Sequence, residues 1–446
     1  MIEIESETAI ELNDPSRPES GSNIFSSTLT LFANTIGITL LLMPKLYNTL
    51  GIILGLIVLI VTAAVNFFTT HILARVADTV DAKSYHEVAF RLLSFRTPFN
   101  FFYFSLMIGN IICYHIFVLS SLMTTLEIVF PHQHNTALKL SLQFLMTGIT
   151  NLMVLPFLYS KNLGRIRRLT KFASAAIVLG AQVIIIAYFF PELLGLETKS
   201  FPWATYDMFN PKGLYVSFGF ILLSFCNHLV VVELNHEIRP KTACASKRIC
   251  LMNVVLSILT YFSISLCGYL TMWDHQDINK MDNYLVFVLK HTHRPSSSIH
   301  LFSLLVLSGV AMANVTNYIP LIRYISFRNC LVYTGEEGRT MTASEEVEAS
   351  IRTKETTTSI FFLIWAMTTT VFLLNFNVDF VFNAVSAISA PMICIILPAF
   401  FGLRAFKMRK LQLSFKEQIV LWNVILFGFA VLGFSVFSLF KIFIFR

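Results

Sequence analysis

Charge is what this chain has least of. Asp, Glu, Lys and Arg make up 13% of its 446 residues, against 55% hydrophobic residues, and the mean hydropathy is +0.68. A chain this poor in charge is not a water-soluble globular protein; the composition fits a helical protein that crosses a bilayer many times. Cysteine is sparse as well. Cys113, Cys226, Cys244, Cys250, Cys267, Cys330 and Cys394 form no CxxC or Cys/His spacing, so the sequence signatures of a metal or thioredoxin-type site are missing. All seven fall in apolar runs or in loops predicted to be cytosolic, and no structural disulfide is expected on the outer face. HExxH, GxSxG, the P-loop and paired carboxylates within apolar runs are also missing, which predicts a protein that is not an enzyme and holds no metal or cofactor. The one NxS/T triplet, Asn314-Val315-Thr316, lies inside an apolar run, out of reach of glycosylation. Residues 1–22 are acidic and polar (Glu3, Glu5, Glu7, Glu11, Asp14, Glu19) without the apolar core of a cleavable leader, and are read as a disordered cytosolic tail.

What is abundant is apolar sequence in long runs. Eleven spans reach the roughly 20 residues a bilayer crossing needs: about 24–47, 51–76, 99–129, 137–158, 170–190, 213–237, 250–273, 299–327, 358–376, 379–403 and 417–441. With the N-terminus inside, 24 of the 33 Lys and Arg residues fall on the cytosolic side, as the positive-inside rule requires. That orientation leaves the C-terminus extracytosolic. Plasma membrane and vacuolar or lysosomal membrane fit equally. The longest cytosolic loop, about 329–357, carries Glu336, Glu337, Glu345, Glu346 and Glu348. It reads as a solvated linker; together with the tail it is also where a protein partner would attach. The +7 net charge follows from loop asymmetry and implies no nucleic acid.

The run from Gly21 to Gly51 organises the rest. Its middle holds Asn34, Thr35, Gly37 and Thr39, and Pro44 follows. A helix that only anchors has no use for these residues. Irregular backbone at membrane depth is tolerated only where protein or a water-filled cavity surrounds it, and an interrupted first helix lining a midplane site is a mark of secondary transporters. The competing reading is an ordinary span with a harmless glycine.

Dispersed signatures carry a resemblance. They are Gly37 with Pro44; Gly109 with Tyr114; Pro156-Phe157-Leu158-Tyr159 with Lys161-Asn162-Leu163-Gly164-Arg165 and Ser174; and Phe225-Cys226-Asn227-His228 with Glu237-Ile238. Further on come Gly268-Tyr269-Leu270-Thr271; Tyr318, Pro320 and Arg328; and Ala387 through Pro398-Ala399. In order and spacing this set resembles the amino acid/auxin permease family of neutral and proton-coupled amino acid transporters. The resemblance implies an all-α polytopic membrane protein of LeuT type. Residues 23–404 would form a ten-helix core of two inverted repeats (about 23–190 and 213–404), and 405–446 an eleventh transmembrane helix. Spans 1 and 6 would be broken, although span 6 has no glycine or proline near Ser224–His228.

The implied activity is symport of a small neutral amino acid by alternating access, coupled to H+ or Na+. The implied substrate residues are Asn34, Thr35, Gly37, Ile38, Thr39, Tyr114, Ser224 and Asn227; the implied ion-coupling residues are His228, Asn314 and Thr316. An unwound helix offers amides to a carboxylate and carbonyls to an ammonium or cation. The family uses a Gly-x-Gly for this, and here Thr39 stands at the second glycine. Two readings follow: a site reshaped by a hydroxyl, or a scaffold that no longer transports and serves as a sensor or as a subunit of an assembly. A mid-span His228 fits proton coupling or a neutral histidine bonded between helices. Ser308, Asn314, Thr316 and Asn317 fit a sodium site or helix packing. Glu233 and Glu237 read as interfacial, with Glu237 paired to Arg239 as part of a cytosolic gate.

Overall fold

The structure, a computed structural model, describes residues 23–129, 163–190, 207–238, 244–272, 297–334, 341–373, 378–408 and 411–444, with a few isolated positions elsewhere. Every absence stated below refers to these residues. Fourteen α-helices are described: α1 Ile24–Thr35, α2 Thr39–Leu50, α3 Ile52–Thr79, α4 Tyr85–Leu92, α5 Thr97–Val129, α6 Leu163–Phe189, α7 Leu214–Ser224, α8 His228–Glu237, α9 Ala245–Met272, α10 Ser297–Thr334, α11 Ala343–Leu373, α12 Val378–Pro391, α13 Leu397–Lys407 and α14 Phe415–Ile444. No strand occurs among them. Six helical stretches are long and apolar enough to cross a membrane, and α1 with α2 make a seventh, bent by 58° at the interruption. The remaining spans expected from sequence fare unevenly. Helices α6, α10 and α11 run through 170–190, 299–327 and 358–376, whereas 137–158 falls almost wholly outside the described residues.

Burial separates a centre from a periphery. Nine of the twelve residues of α2 are buried. Its neighbours include α7 and α9, and α9 also packs on α1, α3 and α6. The last helix, α14, lies on α12 and α13 and leaves Trp422, Leu426, Phe437 and Phe440 more than half exposed. With no polar face to hide, such a helix is stable only against lipid. Gly51 makes the sharp α2–α3 turn at φ +80°, a conformation that costs glycine nothing. A Cβ there would meet the Met208 backbone at 2.6 Å. That close approach lets the carbonyls of Asp207 and Met208 accept from the first amides of α3, Ile52 and Ile53, at 3.1 and 2.9 Å, which no intrahelical carbonyl can serve.

The linker expected at 329–357 is instead mostly helix. Helix α10 continues to Thr334, and α11 begins at Ala343. The signal was local. Thr342 and Glu345 form a capping box: the Thr342 amide donates to the Glu345 carboxylate at 2.9 Å, and the Glu345 amide donates to the Thr342 hydroxyl at 3.4 Å. Ser414 and Glu417 start α14 in the same way.

The short helix α4 is capped by Ser84 and wedges His86 among Tyr103, Tyr324 and Phe327. Burial, helped by the Arg323 charge, pushes His86 down to about 4. Below pH 6.5 the unfolded chain therefore takes up a proton that the folded one refuses. The stability present above that pH is lost as pH falls towards 4, by on the order of 3 kcal/mol from this residue. Thermal unfolding in detergent across pH 4–7 should show the fall, and His86→Gln should flatten it.

Candidate functional site

Both expected interruptions exist, and they face one another. At the first, Ile36, Gly37 and Ile38 leave the helix, and the chain re-enters it through short bonds from Leu40 to Gly37 (3.2 Å) and from Leu41 to Ile38 (3.0 Å). At the second, Phe225, Cys226 and Asn227 separate α7 from α8. No glycine or proline makes this break. It is held open by side chains from other helices that take the freed carbonyls. Asn66 of α3 donates to the Phe225 carbonyl. Tyr261 of α9 donates to the Ser224 carbonyl at 3.0 Å. The same hydroxyl donates to the Thr35 carbonyl at 2.9 Å and lies 3.2 Å from Thr39 Oγ1. One buried phenol thus serves the C-terminal ends of α1 and α7 and the first residue of α2. A direct bond joins the breaks as well: Asn227 Nδ2 donates to Thr35 Oγ1 at 2.9 Å.

Between the breaks lies a cavity with about 120 Å³ open to the centre of a water molecule, far above the ~10–15 Å³ that a single water requires. Of the residues singled out by sequence, Asn34, Thr35, Gly37, Ile38, Thr39, Tyr114 and Asn227 line it together. The others stand apart. Ser224 is behind the wall, its hydroxyl donating to the Ile221 carbonyl at 2.7 Å. His228 is buried on the α3 side with Nε2 2.9 Å from Thr69 Oγ1. Thr69 Oγ1 also lies 2.9 Å from the Val65 carbonyl, and Nδ1 of His228 has no partner among the described residues. Asn314 is engaged with the His115 ring at 2.8 Å, between α10 and α5. The side chains of Ser308 and Thr316 lie outside the described residues.

Sequence reasoning missed Tyr261 and Asn66, since nothing in their own neighbourhood marks a residue that serves another helix. The acidic pair read as interfacial faces the chamber. Glu233 and Glu237 both line the cavity, and Glu233 is ion-paired with Arg323 of α10, which lines it too. Arg239, the partner expected for Glu237, lies outside the described residues. The cavity therefore runs from neutral amides, hydroxyls and helix ends at the breaks to a charged pair at its far side. The starts of α2 and α8 bring the positive ends of two helix dipoles to it, which suit a carboxylate; the ends of α1 and α7 bring carbonyls, which suit an ammonium.

These residues build a multi-pass, all-helical integral membrane protein with a polar chamber at its interrupted helices. The chain belongs to the family described as transmembrane amino acid transporter protein, whose model matches residues 20–441. That family is one of transporters and not of enzymes, and its members act on amino acids in a lipid bilayer. A search of curated protein sequences returned no match to the chain.

Gly37 leaves no room for a side chain. A Cβ at this position would land on the Tyr114 hydroxyl, with Cζ 3.2 Å away. Tyr114, on α5, lines the chamber opposite the first break. Gly37→Ala is expected to abolish ligand-induced thermal stabilisation. Adding Tyr114→Phe, which deletes the clashing oxygen, should restore part of it. Strictly additive losses in the double variant would show that the two positions do not touch.

Proposed function

We propose that the protein is a secondary active carrier that moves a small neutral amino acid by alternating access, on a LeuT-type core of two inverted repeats with an eleventh helix. The observation that carries this reading is the cavity walled by both interrupted helices. A zwitterion needs partners for two opposite charges once it leaves water, and two helix breaks bring both kinds of dipole end to one place. Substrate contacts are assigned to Asn34, Thr35, Gly37, Ile38, Thr39, Tyr114 and Asn227. Ser224 contributes through its carbonyl and Tyr261.

The excess of Lys and Arg in alternate loops supports a cytosolic N-terminus. In that orientation the Glu233–Arg323 pair lies at the cytosolic mouth of the chamber, where it serves as a gate beside the one expected of Glu237 and Arg239. Coupling is to H+ or Na+. His228, buried mid-span with an Nδ1 that has no partner among the described residues, is the candidate to carry a proton.

The test is uptake of a pool of labelled amino acids into proteoliposomes under a proton gradient, a sodium gradient and neither. Accumulation driven by the proton gradient is expected. Absence of uptake under every gradient by folded, correctly inserted protein would end the carrier reading. Thr39→Gly removes the side chain between the chamber and Tyr261 and should shift uptake towards bulkier amino acids; an unchanged substrate profile would exclude Thr39 from the site.

A further inference from the structure

Cys226 and Cys394 are not used by the mechanism above, yet their sulfurs lie 3.1 Å apart. They come from opposite sides of a junction. Cys226 sits in the interruption between α7 and α8, is half-buried and lines the cavity. Cys394 lies behind it, 3% exposed, at the middle of a π-helical turn, Met392–Ile396, that joins α12 to α13. Such turns recur at functional sites, and this one is anchored. The Tyr85 hydroxyl donates to the Ile393 carbonyl at 2.7 Å, and α14 brings Gly428 against Ile395 and Ile396. One sulfur therefore rides on the segment that forms the chamber wall, and the other on a braced neighbour.

We infer that Cys226 and Cys394 are a redox-modifiable dithiol, opened to peroxide oxidants through the chamber, whose disulfide form locks the carrier. The pair has the layout of an accessible thiol with a resolving partner beside it. Cys226, as thiolate, attacks a peroxide oxygen. The O–O bond breaks, hydroxide leaves from hydrogen peroxide, and Cys226 becomes a sulfenic acid. The Cys394 sulfur then attacks the Cys226 sulfur; the S–S bond forms, and the sulfenic oxygen departs as water together with the Cys394 proton. In sum, two thiols and one hydrogen peroxide give one disulfide and two waters. The sulfurs need to close by about 1 Å to reach a bond of roughly 2.05 Å. The cross-link ties the second break to the α12–α13 junction. Its effect on flux rests on the alternating-access reading, in which the break moves relative to its neighbours.

The experiment treats the full-length protein in proteoliposomes with hydrogen peroxide, alkylates the remaining thiols, digests without reduction and maps the peptides by mass spectrometry, with uptake measured in parallel. The expected result is a linked peptide pair containing Cys226 and Cys394, lighter by two hydrogens than the separate peptides and cleaved by dithiothreitol. Uptake should be lost on oxidation and recovered on reduction. Cys394→Ser should keep basal uptake, form no linked pair and lose the reversible inhibition. Cys226 oxidised to sulfinic acid while Cys394 stays alkylatable would overturn the dithiol. A linked pair with undiminished uptake would overturn the lock. A linked pair in a protein that transports nothing in either redox state would establish the dithiol and count against the carrier reading instead.

Discussion

A helix interrupted inside an apolar interior frees backbone carbonyls and amides where no water can take them, and each one left unpaired is costly. The centre of this molecule is arranged around that constraint. A single donor, the Tyr261 hydroxyl, meets the last carbonyls of two different half-helices, and Asn66 meets a third carbonyl one residue further on. Because one phenolic proton is offered to two acceptors, the two breaks are not independent; each is completed by a group the other also uses. Helix α9, which carries Tyr261, packs along α1, α2 and α3 and is as much a part of the site as the helices it serves, although Tyr261 itself does not line the chamber.

The chamber has a lining of mixed chemistry. Neutral dipoles and helix ends gather at the breaks, apolar side chains such as Met107 and Leu229 share the lining, and the Glu233–Arg323 pair completes it. The Glu233 and Arg323 charges have each other within reach, and their side chains stay partly exposed, which limits the desolvation that makes buried ion pairs costly. The break segments themselves carry dipoles alone, and these can be redirected without stranding a charge.

The first break was legible because its cause is written locally: Gly37 amid Asn34, Thr35 and Thr39 is an interruption that its own residues explain. The second was legible only by resemblance, since Phe225, Cys226 and Asn227 do not disfavour a helix and the groups that keep them out of one belong to α3 and α9. The same division runs through the periphery. A capping box fixed the start of α11, and reading Thr342 and Glu345 as a pair would have replaced the expected linker with a helix. The partner of Glu233, ninety residues away on α10, had no local sign at all. Local chemistry writes where a helix begins; which side chain completes it from elsewhere is decided by packing.

The two long helices α10 and α11 have a mechanical consequence. At 1.5 Å per residue a 38-residue helix such as α10 is about 57 Å long, well beyond the ~30 Å of a bilayer's hydrocarbon, and α11 runs beside it with Asn329 bonded to Thr353 at 3.2 Å. The pair is longer than a crossing needs, and Pro320 inside α10 marks where that helix can bend. Asn317, Pro320 and Arg323 of the chamber wall are set in the same helix as Asn329. A push at the Asn329 end therefore reaches Arg323 through unbroken helix, and Pro320 is where it can turn into a bend of the chamber wall.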